Sequence, residues 1–326
     1  MKGKNARIIY IIAAAFAVLF AAGPRINMDI KTPPVNVPSD ITRIDAFLRE
    51  TESRYADIIP NTEKTVLWHN GKVQKTHFSV IYIHGFSATR QETAPLADIV
   101  ANRLRANLFY TRLKGHGRNG EALAEATVAD WIYDMKEAYE IGKLIGDNVI
   151  IIGMSNGGTI AAWFAVQEPQ PETAALILIS PNFGPKDKAA ELLAWPWAKY
   201  YIPLIAGPKR SFEPINEKHA LYWTSEYPIE ALFPMMGTII LARKAPLKNL
   251  DLPVQVLYAP KDQVLDSRLI EKAYKRIGSD KKELVPITEG DFDEMHIFAG
   301  DALSPSTTGD VAKKIISFLQ SVGGIE

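Results

Sequence analysis

The segment Gly153-Met154-Ser155-Asn156-Gly157 places a serine between two glycines, directly after the apolar run Val149-Ile150-Ile151-Ile152 and before a segment of helical character. A serine hydroxyl attacks a carbonyl carbon only when a base takes its proton and the side chain stands clear of the backbone. A sharp strand-to-helix turn provides that exposure, and its tight backbone leaves no room for side chains on the flanking residues. Such a serine needs a base, an acid to orient the base, and N–H donors for the oxyanion that forms.

His296 is the candidate base. His69 and His77 fall in an early strand pair, His84 and His116 in glycine-bounded turns, and His219 in an aromatic-rich segment. Asp262 is the candidate acid, because it follows an expected strand and completes the chain order serine, acid, histidine. Asp266, Asp291 and Asp293 compete with it. Asp266 reads as a helix start, and Asp291, Asp293 and Glu294 as a solvated loop whose charge would raise the pKa of His296. The backbone N–H groups of Asn156 and of Phe86, in His84-Gly85-Phe86-Ser87, are the candidate oxyanion donors.

No cofactor or metal is expected. Gly115-His116-Gly117-Arg118-Asn119-Gly120 matches a dinucleotide-binding pattern, with Asp134 beyond it, but earlier strands precede it and no helix opens directly from it. No zinc-type or calcium-type ligand spacing occurs.

Elements that could hold these residues alternate along the chain. Strands are expected at Thr65 to His69 and His77 to Ile83, paired across Asn70-Gly71, then at Asn107 to Arg112, Asn148 to Ile152, Ala174 to Ile179, Val254 to Tyr258 and Glu283 to Ile287. Helices are expected at Thr93 to Arg105, Val128 to Ile145, Gly158 to Val166, Leu265 to Ile277 and Asp310 to Val322. This predicts an α/β fold with a mostly parallel central sheet flanked by helices. The alternation breaks over residues 184–245, rich in Trp, Tyr, Phe, Met and Pro, which read as a mostly helical cap inserted over the site.

Residues 1–23 carry Lys2, Lys4 and Arg7 before fifteen uncharged, mostly apolar residues, Ile8 to Ala22. That pattern predicts a signal peptide or signal anchor, and Pro24 disfavours cleavage after Gly23. Residues 24–40, with four prolines, read as an extended tether, and residues 41–326 as the folded domain. The expected location is extracytoplasmic, on the periplasmic side, anchored or secreted, with the membrane as a partner through the N-terminal segment. The absence of cysteine suits such a compartment. Thirty-seven basic residues balance 37 acidic ones, so no net field favours nucleic acid.

On His84-Gly85-Phe86-Ser87, Gly115-His116-Gly117, Thr127 to Asp134, the serine turn, Asp262 and His296, the chain resembles the α/β-hydrolase superfamily. Within it, the nearest group is the bacterial carboxylesterases and monoacylglycerol lipases that are serine aminopeptidase-like. The resemblance implies a Ser-Asp-His triad, an acyl-enzyme, and a helical cap between the sixth and seventh strands. The expected activity is hydrolysis of carboxylic esters, with an apolar acyl group suggested by the cap aromatics. An acyltransferase, lactonase, thioesterase or peptidase would use the same triad, and a non-catalytic binding protein could share the fold.

Overall fold

A computed structural model of the chain describes residues 2–167 and 170–322, with side chains from Arg7 onward. Met1 of the N-terminal segment and the last four residues of the expected domain lie outside the described residues.

The strands are β1 (Thr65–Leu67), β2 (Thr76–Ile83), β3 (Asn107–Tyr110), β4 (Gly146–Met154), β5 (Thr173–Ile179), β6 (Lys209–Ser211), β7 (Glu226–Pro228), β8 (Val254–Tyr258) and β9 (Lys282–Pro286). Among the described residues seven of them form one sheet in the order β1-β3-β2-β4-β5-β8-β9, parallel throughout except where β1 runs antiparallel to β3. The helices are α1 (Lys2–Ala21), α2 (Ile44–Glu52), α3 (Leu96–Arg103), α4 (Gly120–Ala124), α5 (Val128–Ile145), α6 (Asn156–Phe164), α7 (Ala198–Ala206), α8 (Glu217–Tyr222), α9 (Leu232–Lys244), α10 (Ser267–Arg276) and α11 (Thr308–Val322).

A strand's side chains alternate between faces, and the central strands are apolar on both, so the sheet is buried on both sides. Ile81, Val149, Ile151, Leu176 and Leu178 face α5, α6, α9 and α10, whereas Val80, Ile150, Ile152 and Ile177 face α3 and α11. The expected parallel sheet covered by helices is therefore present. Thr127 starts α5 with a reciprocal capping box to Asp130, which satisfies backbone donors at the start of that helix.

One expectation is corrected. Asn70 and Gly71 do adopt left-handed backbone, φ 56° and 67°, as a tight hairpin turn demands. Yet β1 and β2 do not pair: β3 lies between them, with Val66 opposite Phe109 on one side and Val80 opposite Leu108 on the other. Turn chemistry dictates a local reversal, but the more apolar β3 takes the central position that the hairpin partner would have had.

Between β5 and β8 the chain leaves the sheet. This segment contains a 3-10 turn (Lys188–Ala194), α7, α8 and α9, and it also forms a small antiparallel ribbon from β6 and β7. The ribbon was not legible, because its strands are three residues long and β6 is wholly exposed. The insertion follows the fifth strand of this sheet and occupies the stretch between β5 and β8.

α1 carries Ile8, Ile9, Tyr10, Ile11, Ile12, Phe16, Val18 and Leu19 exposed. Among the described residues no helix is long and apolar enough to cross a membrane. The end of α1 meets the insertion, where Trp197 N–H donates to the Pro24 carbonyl at 2.8 Å and Trp195 stands edge-on to Phe20. Residues 24–40 then run without regular structure along the body. Ile26, Ile30 and Val37 pack against the core, and Lys136 Nζ donates to Thr32 Oγ1 at 2.9 Å.

Candidate active site

β4 ends at Met154 and α6 begins at Asn156, leaving Ser155 alone to make the turn with φ 50° and ψ −116°. A non-glycine residue with positive φ is strained, and here the surroundings hold it. Ser155 N–H donates to the Ile179 carbonyl at 2.8 Å, and its own carbonyl accepts from Asn182 N–H at 3.1 Å. The glycines are required by close approach: a Cβ on Gly157 would stand 2.1 Å from the Ile83 carbonyl oxygen, and one on Gly153 2.7 Å from the Gly158 Cα.

Strand ends bring the other two side chains to the serine. Asp262 follows β8, and its Oδ1 accepts the Val264 and Leu265 N–H groups at 2.7 and 2.8 Å. Its Oδ2 lies 2.8 Å from His296 Nδ1, and His296 Nε2 lies 3.0 Å from Ser155 Oγ. A carboxylate facing Nδ1 puts the ring proton there, which leaves Nε2 to accept the serine proton. All three residues are buried, with Ser155 and His296 each 8% exposed.

The competing acids are engaged elsewhere. Asp266 caps α10 by accepting the Arg268 N–H, and hydrogen bonds from Arg268 and Lys188 hold its carboxyl far below the usual range. Asp291 accepts from Ser306 N–H and Oγ at 2.8 and 2.5 Å, and Asp293 and Glu294 are exposed. The loop joins the site through its backbone, Gln263 N–H donating to the Glu294 carbonyl at 2.8 Å.

The two expected donors come from the residue after the serine and from the loop after β2. Asn156 opens α6, where N–H groups have no intrahelical acceptor. Phe86 lies in the loop after β2, and its N–H has no partner among the described residues. His84 shapes that loop: its Nε2 accepts from Leu113 N–H at 3.0 Å, so Nδ1 carries the proton and donates to the Gly85 carbonyl at 2.8 Å. Burial pushes the His84 pKa down to about 4, so the ring is neutral.

Residues 115–119 form a packed loop, and, against the expectation, a short helix does open directly from the glycine motif: α4 begins at Gly120, capped by Asn119 Oδ1, which accepts the Ala122 N–H at 2.9 Å. His116, fully buried, sits 4.8 Å from the His84 ring and 5.5 Å from Trp131. Gly115 and Gly117 have φ 84° and 65°, and a Cβ on Gly115 would stand 2.5 Å from the Ala122 carbonyl oxygen.

The insertion touches the site at several places, among them Lys186 Nζ, which donates to the Asp262 carbonyl at 3.3 Å. Thr224 N–H donates to the Ser87 carbonyl at 2.7 Å, and Tyr227 stands edge-on to Phe86 with ring centres 5.3 Å apart. On the opposite side, the Thr238 hydroxyl lies 2.7 Å from Asn156 Oδ1.

Sequence reasoning passed over Ser180, Thr238 and Glu92. Ser180 Oγ, at the end of β5, donates to the His296 carbonyl at 3.0 Å. None of the three belongs to a motif. The available signal was a polar residue at the end of an apolar strand for Ser180, and none for Thr238, whose role depends on a contact across the fold.

Comparison with known proteins gives a consistent relationship. Residues 74–291 match the family described as serine aminopeptidase, S33. A thermostable monoacylglycerol lipase from Bacillus sp. (strain H-257) is 24% identical over 206 residues, covering 63% of this chain and 79% of that protein. A structure from work on two metagenome-derived lipolytic enzymes, LipS and LipT, superposes with a TM-score of 0.66 at 21% identity, covering 81% of this chain and 99% of the other. A soluble variant of monoglyceride lipase from Saccharomyces cerevisiae, bound to a substrate analog, gives a TM-score of 0.60 at 17% identity over 83% of this chain and 99% of the other. These structures share the α/β-hydrolase fold with this chain.

Proposed function

The chain belongs to the serine aminopeptidase S33 family of α/β-hydrolases, and on that premise we propose that it hydrolyses carboxylic esters bearing apolar acyl groups. The observation that carries this reading is the hydrogen-bonded chain Ser155 Oγ, His296, Asp262 at 3.0 and 2.8 Å, set at the mouth of a strained strand-to-helix turn.

In the proposed mechanism His296 Nε2 takes the proton of Ser155 as Oγ attacks the ester carbonyl carbon. The carbonyl oxygen becomes an oxyanion and is held by the Phe86 and Asn156 N–H groups. Donors fixed in advance stabilise it most, because nothing has to reorganise as charge develops. Asp262 keeps the imidazolium oriented. The tetrahedral intermediate then collapses: the C–O bond to the alcohol breaks, and His296 gives its proton to the departing alkoxide. Water, deprotonated by His296, attacks the acyl-enzyme, and the acid leaves as Ser155 Oγ takes the proton back.

Support for an ester with an apolar acyl group comes from the lipases among the similar proteins and from the aromatic contact beside the serine, where Tyr227 meets Phe86. The test is hydrolysis of a p-nitrophenyl ester series alongside an aminoacyl p-nitroanilide. Turnover of the anilide and not of the esters would assign the site to peptides instead.

We also propose an extracytoplasmic location in which α1 lies in or on a membrane. Its exposed apolar side chains and the cations at Lys2, Lys4 and Arg7 support this. Fractionation of cells at physiological pH and salt tests it: recovery of the full-length protein in the soluble fraction, with none sedimenting with membranes, would contradict the attachment.

A further inference from the structure

The 3-10 turn Arg90–Glu92 follows the His84 to Ser87 loop and folds the Glu92 side chain back beneath it. Glu92 is 1% exposed, unusual burial for a carboxyl group. Its Oε1 accepts two hydrogen bonds, from Gly85 N–H at 2.7 Å and from the Tyr82 hydroxyl at 2.9 Å. Tyr82 in turn accepts from Thr93 Oγ1 at 2.6 Å, which fixes the direction of its own proton toward Glu92. The second oxygen lies beside Gly85. A Cβ placed on Gly85 would lie 2.8 Å from Glu92 Oε2 and 3.1 Å from Ser155 Cβ, so the carboxyl and the serine flank the same glycine.

The mechanism described above makes no use of this group. Gly85 N–H belongs to the residue immediately before Phe86, so a hydrogen bond that holds the Gly85 amide also limits rotation of the next peptide. We propose that Glu92 is a positioning residue for the oxyanion donor, holding the Gly85 and Phe86 peptides in the orientation that turns Phe86 N–H toward Ser155, and that it does so as the uncharged acid. This rests on the ester-hydrolase reading, in which Phe86 N–H meets the oxyanion.

The charge requirement follows from position. An ionised Glu92 would place a negative charge in the same buried space in which the oxyanion develops, and like charges oppose one another most where water is excluded. The neighbouring groups bring no positive charge to the carboxyl that would favour ionisation. Tyr82 and, edge-on to it, Tyr110 come from the sheet; Asp98 is taken by the Tyr110 hydroxyl and Arg90 lies over the Tyr110 ring. His84 is neutral on the loop itself, His296 lies across Ser155, and the Gly300 segment meets the Glu92 backbone rather than its carboxyl. No cation contacts the carboxyl among the described residues, and burial pushes its pKa up to about 8 in spite of the two hydrogen bonds it accepts.

The test compares the full-length protein with Glu92→Gln and Glu92→Ala, measuring kcat and KM on a p-nitrophenyl ester from about pH 6 to about pH 10, with folding checked by circular dichroism at each pH. In parallel, the rate at which a fluorophosphonate probe labels Ser155 is followed over the same range. Loss of part of an oxyanion donor's alignment should lower kcat of Glu92→Ala about tenfold to a hundredfold with little change in KM. Glu92→Gln keeps the acceptor for Gly85 N–H and should recover most of that loss. The wild type should decline with an apparent pKa near 8, and Glu92→Gln should lack that decline. A Glu92→Gln profile that keeps the wild-type alkaline limb would overturn the proposal. Should Glu92→Ala fail to fold, the glutamine variant carries the test alone. Labelling needs Ser155 and the oxyanion donors but no ester turnover. A wild type that is labelled yet cleaves no ester would therefore sink the ester reading, while the labelling profiles still decide the role of Glu92.

Discussion

Ser180 Oγ donates a 3.0 Å hydrogen bond to the carbonyl oxygen of His296, tying the end of β5 to the loop that carries the base. Ser180 itself has φ 41° and is fully buried, and its N–H donates to the Leu257 carbonyl at 2.8 Å. The strand that receives the Ser155 N–H through Ile179 thus also holds the backbone of His296. Two members of the proposed triad are held by consecutive residues of one strand end.

Removing that hydroxyl should loosen the base without touching substrate. Ser180→Ala leaves a buried carbonyl unsatisfied, which costs about 1–3 kcal/mol of stability. The expected result is a lower unfolding midpoint in urea with kcat reduced and KM little changed. An unaltered kcat would show that His296 is held well enough by Asp262 alone.

Asp262→Asn should separate geometry from electrostatics. The asparagine can occupy the same space, but its amide would face His296 Nδ1 with a donor or a neutral acceptor and disturb the tautomer. A fall in kcat of about 10⁴ is expected, as when this carboxylate is neutralised in serine proteases. A loss of less than about tenfold would remove Asp262 from the orienting role assigned here.

How much of this was legible follows from the range of each interaction. Ser155 and its glycines were readable because their requirement is local: a sharp turn with no room for side chains, borne out by the 2.1 Å clash a Cβ on Gly157 would make. The sheet was readable from runs such as Val149 to Ile152, whose apolar character on both faces demands cover on both sides. The pairing of β1 was not, since Asn70-Gly71 specifies a reversal and says nothing of a third strand entering between the arms. Ser180, Thr238 and Glu92 were invisible for a related reason. Each is an ordinary polar residue in its own segment and acquires a role only through a partner far away in the chain, as Thr238 does with Asn156.

Gly157→Ala gives a direct check on the turn. The added methyl would meet the Ile83 and His84 carbonyl oxygens at 2.1 and 2.5 Å, both backbone atoms that cannot swing aside. Overpacking of this kind costs about 1–3 kcal/mol or more, and here it pushes on the loop bearing Phe86. Both the melting temperature and kcat should fall, and a fully active, equally stable variant would contradict the packing described.

Stability should also depend on pH through Glu92. Its folded pKa, pushed up to about 8 by burial, lies above the ordinary value of 4.5. The folded state therefore holds a proton that the unfolded chain has lost between those values, and the stabilisation present below about pH 4.5 is lost as pH rises toward 8. Glu92→Gln cannot ionise, so its melting temperature relative to wild type should rise steadily from acidic to mildly alkaline pH. A difference that stays constant across that window would mean Glu92 is already ionised in the fold.

The buried pair of carboxyls on α5 offers a check independent of the site. Lys64 is hydrogen-bonded to Asp134 at 3.3 Å and to Glu137, and their charges raise its pKa in spite of burial. Lys64→Met leaves two buried acids without their cation, a change that costs about 3–5 kcal/mol. Urea unfolding should show the loss, and a change under about 1 kcal/mol would show that water reaches these groups.

The central claim is that Ser155 is the nucleophile of an ester hydrolase. The most direct measurement is hydrolysis of p-nitrophenyl esters from acetate to palmitate by the wild type and Ser155→Ala side by side. The account predicts turnover with a preference along the chain-length series, falling by at least about a thousandfold when the hydroxyl is removed. Equal turnover by the two proteins would contradict it.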